Sequence, residues 1–168
     1  HGGSCSVADL DAFVTTLLDD DAPIAKAARK TWFALLGQLL CICAEWDAPA
    51  AVSALVTCGA SVKSADDDGC SPLWFASANG NVPMVEELIK HKALLNRQDR
   101  EGLTPLAIAC QEGRVRCAAV LLEAGANVDG REKPGQAAIG FTPLMLACES
   151  GSALAVERLL QTDGAVAA

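Results

Sequence analysis

No tyrosine occurs in the 168 residues, and the only other rings are four phenylalanines and three tryptophans. A core with so few aromatics must be built from Ala, Leu, Val and Ile, a composition that favours closely packed helices in a single domain of this length. Basic residues are in the minority, 13 Lys and Arg against 21 Asp and Glu, for a formal net charge of -8. Without a basic stripe to neutralise phosphates, nucleic acid is an unexpected partner; a protein or peptide, neutral or basic, fits better. Long apolar runs are missing too. The longest, Trp32 to Ala44, is interrupted by Gly37 and Gln38 and falls short of the roughly 20 residues that cross a bilayer, so no membrane span is expected. There is no initiating Met and no secretory signal: His1-Gly2-Gly3-Ser4 reads as a tag remnant or a cut within a longer protein, and an intracellular, cytoplasmic location is expected.

The residues that carry chemistry are equally sparse. The two histidines, His1 and His91, stand far from any cysteine cluster, and Cys41 and Cys43 form a C-x-C with no second pair at finger-like spacing. Structural zinc is therefore not expected. No phosphate-binding glycine loop, dinucleotide fingerprint, H-E-x-x-H or calcium loop is present, and no nucleophile stands beside a base. The acidic run Asp66-Asp67-Asp68 reads as a solvated surface cluster, because three adjacent carboxylates point in different directions. Neither catalysis nor a cofactor is expected.

What the chain does have is a repeat. Residues 66–80 align with 99–113 without a gap, so that Gly69 and Gly102, Pro72 and Pro105, Gly80 and Gly113, and Leu88 and Leu121 are each thirty-three apart, and a third copy from Gly140 to Gly151 is displaced by thirty-eight. Ser71, Thr104 and Thr142 can each cap a helix whose first residue is the following proline. Gly80, Gly113 and Gly151 then end it after about two turns with a left-handed residue. A second helix follows, carrying Val85, Leu88 and Ile89, then Ala118, Leu121 and Leu122, then Val156, Leu159 and Leu160 on one face. It closes at Gly125-Ala126-Asn127-Val128 and at Gly164-Ala165, and Lys92 stands where the first copy should have that glycine, so either a tolerated strain or a shifted cap is expected there.

This pattern, S/T-P-L-x-x-A, a mid-repeat Gly and V-x-x-L-L with G-A-x-V at period thirty-three, resembles the ankyrin repeat. The resemblance implies an all-α solenoid of stacked helix pairs with short β-hairpin fingers, with full repeats over 66–98, 99–136 and 137–168. A degenerate repeat over 37–65 precedes them, where Gln38-Leu39-Leu40 replaces Thr-Pro-Leu and Asp47 replaces Gly. Residues 5–36, with helix-like stretches over 7–18 and from Pro23 to Glu45, form a helical cap over the exposed solenoid end. Ankyrin proteins hold partners on the fingers and the concave face of the first helices. Carried onto this chain, that rule implies Asp67, Asp68, Cys70, Trp74, Ala78 and Asn79 in one repeat, Arg100, Glu101, Leu103, Ala107, Gln111 and Glu112 in the next, and Ile139, Phe141, Met145, Glu149 and Ser150 in the last. Trp46, beside the turn of the degenerate repeat, joins Trp74 as a second aromatic anchor.

The resulting expectation is a monomeric protein-binding module. Its rival is a regulatory or substrate-recruiting domain of an enzyme whose catalytic part lies elsewhere. A third reading makes Trp46, Trp74 and the acidic finger a cage for modified basic tails. Most cysteines fill small core positions, Cys110 and Cys148 in the register of Ser77, and Cys5 and Cys70 are expected to react fastest. The five-residue insertion within Asp129 to Gly140 carries Arg131, Glu132 and Lys133 and a Pro134-Gly135 turn, and is expected to lengthen a finger tip.

Overall fold

A computed structural model describes residues 23–129 and 142–165. Eight helices lie within them: α1 (Pro23–Glu45), α2 (Pro49–Thr57), α3 (Pro72–Asn79), α4 (Val82–Lys90), α5 (Pro105–Gln111), α6 (Val115–Glu123), α7 (Pro143–Glu149) and α8 (Ala153–Ala165). They pair in order into four layers. The first helices stack α1 on α3, α3 on α5 and α5 on α7, and the second helices stack alongside them. One core runs through all four layers, with Leu40, Leu73 and Leu106 fully buried in the first helices and Leu88 and Leu121 in the second.

The start of each regular first helix follows from its cap. The hydroxyls of Ser71, Thr104 and Thr142 accept from the amides of Trp74, Ala107 and Met145 at 3.2, 3.2 and 3.3 Å, and Pro72, Pro105 and Pro143 occupy the first helical turn, where a missing N–H costs nothing. Each ends at a left-handed glycine, with φ of 82° at Gly80, 65° at Gly113 and 69° at Gly151.

Where the punctuation is absent, the helix does not stop. Gln38 and Leu39 offer neither cap nor proline, and α1 runs unbroken for 23 residues, so the position between residues 36 and 37, expected to part the cap from the degenerate repeat, lies inside one helix. Gly37 is part of the reason that this rod can cross the rest of the chain: a Cβ there would collide with the Ser64 side chain. Asp47, in the register of Gly80, takes the glycine's conformation at φ 52°, as Lys92 does at φ 62° in the register of Gly59 and Gly125. Left-handed backbone at a residue with a Cβ costs about 1 kcal/mol. The strain at Lys92 is thus tolerated and the cap is not shifted, since Ala93 N–H still reaches the Leu88 carbonyl at 3.0 Å, as Ala126 does Leu121 at 2.9 Å.

The last second helix, α8, ends at Ala165, within the expected Gly164-Ala165 close. One expectation is corrected. The fingers contain no strand among the described residues. They are tight turns, each tied by an aspartate: Asp66 Oδ1 accepts from the amides of Asp68 and Cys70, Asp99 Oδ1 from those of Glu101 and Leu103, and the backbone closes from Asp66 N–H to Cys70 O and from Asp99 N–H to Leu103 O. The helix-like stretch 7–18 and residues 130–141 of the insertion lie outside the described residues.

Candidate functional site

The fingers set out the most polar part of the predicted surface. Because Asp66 and Asp99 are consumed in holding the turns, the residues left to face solvent are Asp67 and Asp68 on one tip and Arg100 and Glu101 on the next. The tips are joined. Arg100 N–H donates to the Asp68 carbonyl at 2.9 Å and its guanidinium meets the Asp68 carboxylate at 3.0 Å, with 70% and 75% of the two side chains exposed. An ion pair this wet contributes at most about 1 kcal/mol, so it orients the tips more than it stabilises them. Gly69 makes the close approach possible, since a Cβ there would press on the Asp99 backbone at 3.1 Å.

Along the first helices the predicted residues divide. Gln111, Glu112, Met145 and Glu149 are exposed, Met145 at 56%. Trp74 is half-buried; its ring meets Phe75 edge-on with centroids 5.3 Å apart, and its Nε1–H is buried without a hydrogen-bond partner. Leu103 and Ala107, mapped to the contact face from sequence, are instead buried, because the whole stretch from Gly102 to Cys110 is packed between neighbouring layers. Ile139 and Phe141 lie outside the described residues. Trp46 is 77% exposed, but its register is that of Asn79, which points toward the preceding layer, so the structure sets it at the end of the stack and does not bring it to Trp74.

Asn79 serves the stack. Its side-chain amide donates to the last carbonyls of α1, Ala44 and Glu45, both at 3.0 Å. Ser150, in the same register, donates to the Cys110 carbonyl at 3.0 Å. Glu112 stands at this position in the layer between, and a carboxylate has no proton to give. Arg114 takes over, its Nε–H reaching the Ala78 carbonyl at 3.0 Å as its stem passes over Gly80. Sequence reasoning missed Arg114; the signal for it was an acceptor at a place that needs a donor.

The cysteines require a correction as well. Cys70, expected to be exposed and reactive, is 8% exposed, and burial, aided by Asp66, pushes its thiol up to about 12. Burial does the same to Cys41 and Cys110, each pushed to about 12, and raises Cys117. The exposed thiols are Cys58 and Cys148, and the latter is not core filler. Cys5 lies outside the described residues. No group of three or more His, Cys, Asp or Glu side chains is arranged to hold a metal ion among the described residues, and none of their helices is long and apolar enough to cross a membrane.

The comparison with known proteins agrees with the geometry. A family model for ankyrin repeats in three copies matches residues 40–132, and a single-repeat model matches 139–168. Among curated proteins, the potassium channel AKT1 of Oryza sativa subsp. indica is 36% identical over 77 residues, 46% of this chain and 8% of the channel. Protein phosphatase 1 regulatory subunit 27 of Homo sapiens is 33% identical over 75 residues, 45% of this chain and 49% of that protein. Human ankyrin repeat and SOCS box protein 2 is 39% identical over 64 residues, 38% of this chain and 10% of its own length. The chain thus spans about half or less of each of these relatives.

Proposed function

Because the chain belongs to the ankyrin-repeat family, we propose that it is a protein-binding module which receives a protein or peptide on its finger tips and on the exposed flank of its first helices. Binding of this kind needs no catalytic group and no cofactor. The observation that carries the reading is the rigidity of the tips. Asp67, Asp68, Arg100 and Glu101 face solvent on turns fixed by two aspartates, a paired glycine and an inter-tip hydrogen bond, so little ordering entropy is lost when a partner arrives. Three of these four side chains are acidic and the chain carries a net -8, which favours a basic partner surface. Trp74, Gln111 and Met145 supply the less polar flank. Similar repeats occur in proteins as different as a potassium channel and a phosphatase regulatory subunit, so recruitment to an enzyme is a special case of the same surface. Seven free cysteines among the described residues support a reducing, intracellular compartment.

The test is affinity capture followed by mass spectrometry, with the chain as bait beside two matched baits, Asp67→Lys/Asp68→Lys and Trp74→Ala. A partner held by this face is lost from the charge-reversed bait and weakened on Trp74→Ala, with all three baits melting alike. A partner retained equally by all three would move the binding surface elsewhere.

A further inference from the structure

The second and third layers leave a cavity of about 310 Å³ between the turns that join their helices, at the end of the helices away from the fingers. Asn79, Gly80 and Val82 line one side of it, and Arg114, Arg116 and Cys117 the other. Each of these layers has a neighbour on both sides. Two cations stand here in a chain of net charge -8, and neither pairs with a carboxylate among the described residues, Glu112 included. Arg114 is also held still. Its Nε–H is bonded to the Ala78 carbonyl at 3.0 Å, and its stem lies so close to Gly80 that a Cβ there would meet Cδ at 2.9 Å. Its terminal nitrogens have no partner among the described residues. A guanidinium fixed along one edge and open along the other is a preorganised fork, which has already lost the rotamer freedom that a binding arginine gives up. The surrounding chain supplies no anion of its own. In α4 the Asn81 side chain accepts from the Met84 amide at 3.0 Å. Arg114 and Cys117 stand in that register in α6, which has no side-chain cap and no acidic residue in its first turn. The Cys117 thiol, 1% exposed, makes no hydrogen bond among the described residues; burial raises it, and Arg114 and Arg116 draw it back down. The fields of both guanidiniums therefore meet on one wall of the cavity.

We infer that this cavity binds the dianion of a phosphate monoester, the group shared by a phosphorylated side chain and a small phosphate ester. Charge selects it. Two guanidiniums are neutralised by two negative charges, which a phosphate monoester approaches at neutral pH and a carboxylate does not. Its three terminal oxygens accept charge-assisted bonds from the free edge of Arg114, from Arg116, and from the uncapped amides at the start of α6, where the helix dipole favours the same sign. The volume, at the lower bound of about 300 to 1,000 Å³ for small-ligand sites, holds the phosphate and the first atoms of its ester against Val82. Nucleic acid needs a run of such contacts to release its counterions, and here there is one. The cavity lies at the opposite end of the helices from Asp67, Asp68, Arg100 and Glu101 and carries the opposite sign, so it is a second site that leaves the finger tips free.

Amide NMR of the full 168-residue chain tests it, with sodium phosphate titrated against sodium chloride at matched ionic strength. The expected result is a saturable set of shifts centred on Arg116 and Cys117, and on Gly80 across the cavity, that chloride does not produce. Sodium acetate should bind at least about tenfold more weakly, and Arg116→Gln should weaken phosphate by about the same factor. That variant should melt at the same temperature or higher, because a cation has left the positive end of a helix; its loss of binding is then not a loss of fold. Glycerol phosphate and a short phosphoserine peptide should each bind at least as tightly as inorganic phosphate, and the tighter of the two assigns the source of the group. Shifts that chloride reproduces overturn the proposal. So does phosphate binding unchanged in Arg116→Gln, so does acetate binding equal to phosphate, which would make the site a carboxylate receptor, and so does weaker binding of both esters than of inorganic phosphate.

Discussion

Cys110 in the third layer and Cys148 in the last are the same residue in the same register, yet the first is 0% exposed with its thiol pushed to about 12 and the second is open to solvent. The same contrast holds one turn earlier, where Leu106 is fully buried and its counterpart Leu144 is only partly covered. Nothing local distinguishes the two helices: both begin with a threonine cap and a proline, and both run for seven residues. The positions of a first helix that face onward are therefore buried only by the layer that follows, while Leu146 and Ala147 are buried by the layer before, which is the physical content of quasi-one-dimensional stability.

Three measurements can break or sharpen this contrast. The largest effect is chemical. A thiol held at about 12 instead of the usual 9.0 carries about a thousandth of the thiolate at neutral pH. Labelling of the native chain, mapped by mass spectrometry, should therefore modify the exposed Cys58 and Cys148 far faster than the buried Cys110, with Cys41 and Cys70 also slow; rapid labelling of Cys110 would mean that the third layer opens. The same shifts have a thermodynamic sign. A buried thiol whose folded pKa lies above its unfolded value stabilises the fold fully below about pH 9, and that stability is lost as pH rises toward 12, so melting temperature should fall across that window. The second effect is one of packing. Leu106→Ala should cost about 2–5 kcal/mol in a denaturant titration and Leu144→Ala less than half as much, because only the first leaves an enclosed cavity. The smallest is at the caps. Thr104→Ala should cost about 1–2 kcal/mol and Thr142→Ala about 0.5 kcal/mol, the buried cap at 1% exposure outweighing the partly exposed one. Equal costs at the two ends of either pair would show that the last layer is covered in solution.

The features legible from sequence were those written in local punctuation. Ser71-Pro72, Thr104-Pro105 and Thr142-Pro143 mark helix starts that the structure reproduces, and Gly80, Gly113 and Gly151 are left-handed where the turn chemistry requires it. At Lys92 the sequence left a choice between tolerated strain and a shifted cap, and the structure takes the strain. What escaped the sequence depends on contacts between layers. The length of α1 reflects a stop signal that is missing, together with a crossing that Gly37 permits against Ser64, a residue twenty-seven positions away. The burial of Cys70, Leu103 and Ala107 comes from neighbouring layers. Of the candidate surface, Asp67, Asp68, Arg100 and Glu101 lie together on adjoining tips, while Asn79 proved to be a tie between layers and Trp46 an end residue, because a rule about which positions face a partner says nothing of which ones are already occupied.

The tie itself has a consequence for how such a chain can drift. At one junction the bond to the preceding helix is made by an amide, at the next by a guanidinium from two residues further on, and at the last by a hydroxyl. The address is kept while the tenant changes. At Glu112 the bond is kept by Arg114, so a substitution at Arg114 alone evicts it, whereas Glu112→Asn would let an amide make it in the manner of Asn79.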